Sequence, residues 1–174
     1  MTLSAPTTKA LTVLVVDDDP EFLEAMKDTV RRLGHSCMTA RDGVEAWALY
    51  QAEPVDVVLA DWQMPRMNGL ELCRRVRGAN LVRPYTHFIF VTGKDDEAHF
   101  LLGMRAGADD YITKPIDLDD LEARLQAVRR QVMLNRRLAA HAAPRVHHSP
   151  AGPSPPPVFR SSVLPRLWWQ LVRG

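Results

Sequence analysis

Cysteine is scarce in this 174-residue chain. Its two residues, Cys37 and Cys73, lie far apart and have no His or Cys at metal-ligand spacing. A disulfide framework and a zinc site are therefore excluded as organising devices, and both thiols are expected to stay reduced. No apolar run approaches the roughly 20 residues a membrane-spanning helix needs. The opening MTLSAPTTKALTVLVVDDD also lacks a basic segment followed by an apolar core and a cleavage site, so a cytoplasmic protein is expected. Acidic residues are missing beyond Glu122. Met1 to Glu122 holds 13 Lys+Arg against all 21 acids, a balance of −8, whereas Ala123 to Gly174 holds nine arginines and no acid. An acidic body followed by a purely basic end points to two parts under different constraints.

The chain as a whole, 46% hydrophobic and 25% charged, has the composition of a packed globular protein with room for one ordinary domain. Leu11 to Val16 (LTVLVV) is a short β-branched run with no polar alternation, as expected of a strand buried on both faces of a parallel sheet. Val55–Ala60 and Thr86–Val91 read the same way, and His35–Ala40 and Asp110–Thr113 are weaker candidates. Between them lie helix-period segments over Glu21–Leu33, Val44–Glu53, Leu70–Arg77 and Asp95–Ala106, each closed by Gly or Pro. Fivefold alternation with short connections predicts an α/β doubly wound parallel sheet covered by helices on both faces. Ligands of such a fold bind beyond the carboxyl ends of the strands.

A fifth helix is expected from about Asp117 and runs well past ordinary length. Along it Leu121, Leu125, Val128, Val132, Asn135, Ala139 and Ala142 follow alternating spacings of four and three. This pattern has two readings: a heptad seam for a homodimer, or an amphipathic face packed on its own domain. After Ala143, seven prolines from Pro144 to Pro165 predict no compact fold. The division is thus a disordered 1–10, a domain over 11–128, an extension of the fifth helix over 129–143, and a proline-rich basic tail over 144–174.

The candidate chemistry sits at strand ends. Asp17, Asp18 and Asp19 follow the first strand, Asp61 ends the third, Thr92 the fourth and Lys114 the fifth. Clustered carboxylates are tolerable when a hard cation neutralises them, and Mg²⁺ takes one or two carboxylates, waters and a phosphate. A fixed Asp61 beside a metal and an ammonium can attack phosphorus, while Lys114 and Thr92 suit phosphoryl oxygens. Each residue alone has a plainer reading: a helix cap for Asp19 with Pro20, a loop cap for Asp61, a surface lysine, a strand-closing threonine. Their arrival in order on one rim is what the plain readings leave unexplained.

Four blocks carry a resemblance: Val-Val-Asp-Asp at Val15–Asp18, Asp-Trp-Gln-Met-Pro-x-Met-Asn-Gly at Asp61–Gly69, Val-Thr-Gly at Val91–Gly93, and Gly-Ala-Asp-Asp-Tyr-Ile-Thr-Lys-Pro at Gly107–Pro115. From about Leu11 to Val128 the chain resembles the receiver domain of two-component response regulators. The resemblance implies a five-stranded sheet of order 2-1-3-4-5. It implies Asp61 as phospho-acceptor and Mg²⁺ (or Mn²⁺) held by Asp18, Asp61 and the main-chain carbonyl of Gln63, with Asp17 acting mostly through water. It further implies that Lys114, before a cis bond to Pro115, contacts the phosphoryl group, and that Thr92 and Tyr111 act as switch residues. The phosphoryl donor would be a sensor histidine kinase or phosphotransfer protein. A downstream effector would dock on the face of the fourth helix, fifth strand and fifth helix. Gln63 and Lys94 would tune the acyl-phosphate lifetime. Asn68 stands where the family more often has Asp, which leaves the turn chemistry intact.

No helix-turn-helix is visible after the fifth helix, so no DNA-binding domain is expected and output should run through protein contacts. The long fifth helix resembles the connector of receivers joined to diguanylate cyclases, but no cyclase sequence follows. Leu164, Leu167, Trp168 and Leu171 form one face of a short basic amphipathic segment, fitting membrane or partner contact as well as an idle end. The rival readings are a haloacid-dehalogenase-type phosphatase through Asp17-x-Asp19, which leaves Asp61 unexplained, and a docking module that is never phosphorylated.

Overall fold

The computed structural model describes residues 10–79, 84–93 and 97–142, without the side chains of 97–99 and 139–142. The expectations for Lys94, the first nine residues and the tail therefore lie outside the described residues. Five strands alternate with five helices: β1 Thr12–Val16, α1 Pro20–Arg32, β2 Ser36–Ala40, α2 Gly43–Ala52, β3 Val57–Ala60, α3 Gly69–Gly78, β4 His87–Thr92, α4 Glu97–Arg105, β5 Asp110–Thr113 and α5 Leu118–Ala142. All pairings are parallel and the sheet order is 2-1-3-4-5, as expected.

The apolar runs build two cores at once because successive strand side chains point to opposite faces. Leu14, Val16, Val58, Ala60, Phe88 and Phe90 pack with Ala46 and Tyr50 of α2 and Leu72, Cys73 and Val76 of α3. Val13, Val15, Val57, Leu59, Ile89 and Val91 pack with Leu23, Met26 and Val30 of α1 and with α5. Strand β2 read weakly because it is an edge: it pairs only with β1, and most of its residues are partly exposed.

Capping fixes where the helices start, and so where the strand-end loops lie. Asp19 Oδ1 accepts from the Glu21 and Phe22 amides at 2.9 and 3.3 Å, with Pro20 in the first turn. Asp42 Oδ1 accepts from Val44 N and Glu45 N, and Asn68 Oδ1 from Glu71 N. Asp117 Oδ1 accepts from Asp119 N and Asp120 N. The cap reading of Asp19 is thereby realised.

The heptad pattern on α5 resolves as internal packing over its first half. Leu121, Leu125, Val128 and Val132 are each at most 7% exposed and belong to the core shared with α1. Asn135 is exposed, and the leucines presented to solvent in the second half of α5 are Leu134 and Leu138, which lie off the seam. The two readings shared one period because a helix laid on a sheet and a helix in a coiled coil both bury a stripe of three to four residues in seven.

At 1.5 Å per residue the 25-residue α5 is about 37 Å long, roughly twice the length of a five-residue strand. Its second half therefore reaches the amino ends of the strands. There Arg136 Nη2 donates to Asp56 Oδ1 at 2.7 Å, and Asp56 Oδ2 accepts from Thr12 N at 3.0 Å. Asp56 is buried, and its ion pair ties the helix extension to the underside of the sheet. Asp56→Asn removes the negative charge opposite the partly buried Arg136 guanidinium, so unfolding free energy in urea should fall by about 1–3 kcal/mol. Breaking the exposed Glu71–Arg75 pair should leave the midpoint unchanged.

Two histidines bury in the same region. His35 Nδ1 accepts from Leu11 N at 3.4 Å, which requires the neutral ring, and burial followed by the nearby Arg129 lowers its pKa. Burial likewise lowers His87, against the opposing pull of Asp109. A depressed folded pKa means the stabilisation is complete above the ordinary imidazole value of about 6.5 and is lost as pH falls through the lower folded value. Thermal melts should show stability declining below about pH 6.5, with a shallower decline in a His35→Gln, His87→Gln variant.

Candidate functional site

Main-chain hydrogen bonds carry the sheet past its last strand residues and fix the rim. Asp17 N donates to Ala40 O at 3.1 Å, Asp61 N to Val16 O at 2.8 Å, and Lys114 N to Thr92 O at 2.8 Å. Three of the expected residues are thus placed by sheet register, at the carboxyl ends of β1, β3 and β5.

The Lys114 ammonium sits between two of the acids, 2.5 Å from Asp17 Oδ2 and 3.2 Å from Asp61 Oδ1. Asp17 Oδ1 accepts from Asp19 N at 3.0 Å, and Asp61 Oδ2 from Gln63 N at 2.8 Å. The Asp17 side chain is only 2% exposed, against 12% for Asp61 and 27% for Lys114, so Asp17 is the most enclosed of the three. Burial pushes the Asp17 carboxyl above the ordinary carboxylate range, with the Lys114 contact and the Asp19 amide opposing it. For Lys114 the largest single influence, burial, lowers the pKa. The bonds and charges of Asp17 and Asp61 outweigh it and leave the ammonium above its usual range. The Lys114–Pro115 peptide is cis, as expected.

Thr92 is the last residue of β4, buried, and in register with Thr113. Tyr111 of β5 is half-buried and meets Phe100 of α4 edge to face, with centroids 5.9 Å apart. Asp18 is exposed on the rim beside Asp17. Among the described residues no group of three or more His, Cys, Asp or Glu side chains is placed to hold a metal, and the expected set of Asp18, Asp61 and the Gln63 main-chain carbonyl, with Asp17 beyond a water, does not call for one. The donors still suit Mg²⁺, which commonly uses one or two carboxylates and completes its shell with water.

The loop after Asp61 is held by residues the sequence did not single out. Arg66, at φ +62, pairs with the buried Asp42 that caps α2, and Gly43 N donates to Met67 O at 3.0 Å. Gly69 N donates to Trp62 O, and a Cβ at Gly69 would overlap the Asp61 carbonyl oxygen, so the glycine permits α3 to start hard against the acceptor strand. Trp62 is buried against Phe90, ring centroids 4.8 Å apart, and Gly103 lets α4 approach both rings. The sequence pattern starts α2 at Val44 and singles out neither the capping Asp42 nor its partner Arg66, 24 positions on.

No helix among the described residues is long and apolar enough to cross a membrane. Residues 13–126 match the family model described as response regulator receiver domain. The alkaline phosphatase synthesis transcriptional regulatory protein PhoP of Bacillus subtilis is 34% identical over 119 residues, covering 68% of this chain and 48% of that protein. Response regulator MprA of Mycobacterium tuberculosis is 38% identical over 119 residues, covering 68% of this chain and 50% of that one. The chain spans about half the length of the curated relatives it matches. Among solved structures, the CheY-like response regulator receiver domain protein of Methanospirillum hungatei superposes with a TM-score of 0.67 at 28% identity, covering 73% of this chain and 99% of that one. Sheet order, rim geometry and sequence agree, and the chain belongs to the response regulator receiver domain family of two-component signalling.

Proposed function

We propose that Asp61 accepts a phosphoryl group from a phosphohistidine of a sensor kinase or phosphotransfer protein, and that the resulting acyl phosphate signals to a protein partner. The observation that carries this reading is the Lys114 ammonium poised 3.2 Å from Asp61 Oδ1 while also held by Asp17. An Asp61 oxygen forms the new O–P bond as the P–N bond of the donor breaks, and the imidazole leaves with the electron pair and takes a proton from solvent. Lys114 would then pair with the phosphoryl oxygens, and water would later attack phosphorus to regenerate the carboxylate. Mg²⁺ (or Mn²⁺), held by Asp18, Asp61 and the Gln63 carbonyl with Asp17 beyond a water, would neutralise charge at the phosphoryl group.

Thr92 would hydrogen-bond the new phosphoryl oxygen, and the change would reach Tyr111, whose ring already abuts α4 through Phe100. The exposed Phe100, Leu101, Leu102 and Met104 of α4 and Leu118 of α5 offer an apolar surface for an effector beside β5. In this reading the protein works in the cytoplasm as a phospho-acceptor rather than as an enzyme acting on other molecules. Gln63 and Lys94 would tune the phosphoryl lifetime.

Incubation with phosphoramidate and Mg²⁺ should add the mass of one phosphoryl group to the intact chain, and the adduct should be acid-stable but alkali-labile and absent in Asp61→Asn. Turnover of a phosphomonoester without a lasting adduct would favour phosphatase chemistry, and no adduct at all a docking module. Without a phosphoryl donor, Mg²⁺ should raise the thermal midpoint, and the rise should shrink in Asp61→Asn as one oxygen donor loses its charge.

A further inference from the structure

Phe22 occupies the third position of α1, on the same rim as the acids. It is fixed there because the Asp19 cap accepts its amide hydrogen and Pro20 sets the first turn. Its ring packs against the core face shared by α1 and α5, and the Lys114 Nζ lies 4.2 Å from the ring centroid. The face of a phenyl ring is the negative end of its quadrupole, so an ammonium over it is attracted without any ionised partner. Lys114 thus has three favourable contacts: Asp17 Oδ2, Asp61 Oδ1 and the Phe22 ring.

These contacts respond differently to the chemistry at the site. The pull of the two carboxylates on Lys114 weakens when a cation neutralises them or when Asp61 becomes an acyl phosphate and its charge lies on the phosphoryl oxygens. The ring contact carries no charge to neutralise and persists through both changes. A lysine stem has many rotamers, and an unheld ammonium would spend much of its time in solvent.

We propose that Phe22 is a positioning residue for phosphoryl acceptance, its ring holding the Lys114 ammonium beside Asp61 as the phosphoryl group arrives. This rests on the reading of Asp61 as acceptor and Lys114 as the phosphoryl contact.

The test measures the rate of phosphate incorporation from phosphoramidate and Mg²⁺ into the full chain by intact mass. The chains compared are wild type, Phe22→Leu, Phe22→Tyr, Lys114→Met and the Phe22→Leu, Lys114→Met double variant. Phe22→Leu should slow incorporation roughly 2- to 30-fold, the range a cation–π contact spans. Phe22→Tyr should keep the wild-type rate, and Phe22→Leu should add no further loss to the residual rate of Lys114→Met. In proton NMR the Lys114 Hε resonances should be shifted upfield by the ring in wild type and Phe22→Tyr and return to ordinary positions in Phe22→Leu. An equal loss in both lysine backgrounds would mean that the ring only supports α1, and an absent ring shift in wild type would remove the contact; either overturns the proposal. A phosphorylated wild type with an unaffected Phe22→Leu sinks this inference alone. A wild type that takes no phosphate sinks the acceptor reading together with it.

Discussion

Two carboxylates at the edge of a buried sheet repel one another, and a cation between them decides whether the arrangement can exist. In this protein the cation present in the fold itself is the Lys114 ammonium, which contacts both Asp17 and Asp61. Much of the tertiary structure serves to hold those three groups together. The ladder bonds from Asp61 N to Val16 O and from Lys114 N to Thr92 O set the positions of the strand ends. The two cores on either face hold the strands in register, and the caps at Asp19, Asp42 and Asn68 start the helices where the rim loops must turn.

The same charges set which form of each rim group is favoured. Asp17 is buried enough that its ionised form is disfavoured relative to a carboxylate in water, and Lys114 is held in its charged form by its neighbours. A divalent cation or a phosphoryl group arriving here would meet two carboxylates and one ammonium rather than a neutral cavity. The loop beyond Asp61 is braced by Arg66 on Asp42 and by Trp62 on Phe90. That loop is thereby in contact with α2, β4 and α4.

At the opposite end of the sheet a second ion pair has a purely architectural part. Asp56 receives Thr12 N and Arg136 Nη2, so the helix extension is fastened under the strands rather than projecting freely over its whole length. The lower half of α5 is thus part of the domain, and the leucines exposed on that half are Leu134 and Leu138.

The sequence by itself determined the sheet, its helices and the identity of the rim residues. β-Branched runs without polar alternation can be satisfied only between two layers of helices, and Gly, Pro and Asp punctuation bounded the elements to within about two residues. Asp17, Asp61, Thr92 and Lys114 were legible because a parallel fold sends every strand end to one rim. Tertiary structure alone decided which acid Lys114 would approach most closely, since that depends on register and burial rather than on spacing. It also decided that the seven-residue pattern of α5 up to Val132 faces its own core, because periodicity names a buried stripe and not the surface that buries it. Phe22 beneath Lys114, Arg66 on Asp42 and Arg136 on Asp56 were hidden for the same reason. Each joins residues distant in sequence, and only the packed chain brings such pairs within a few ångströms.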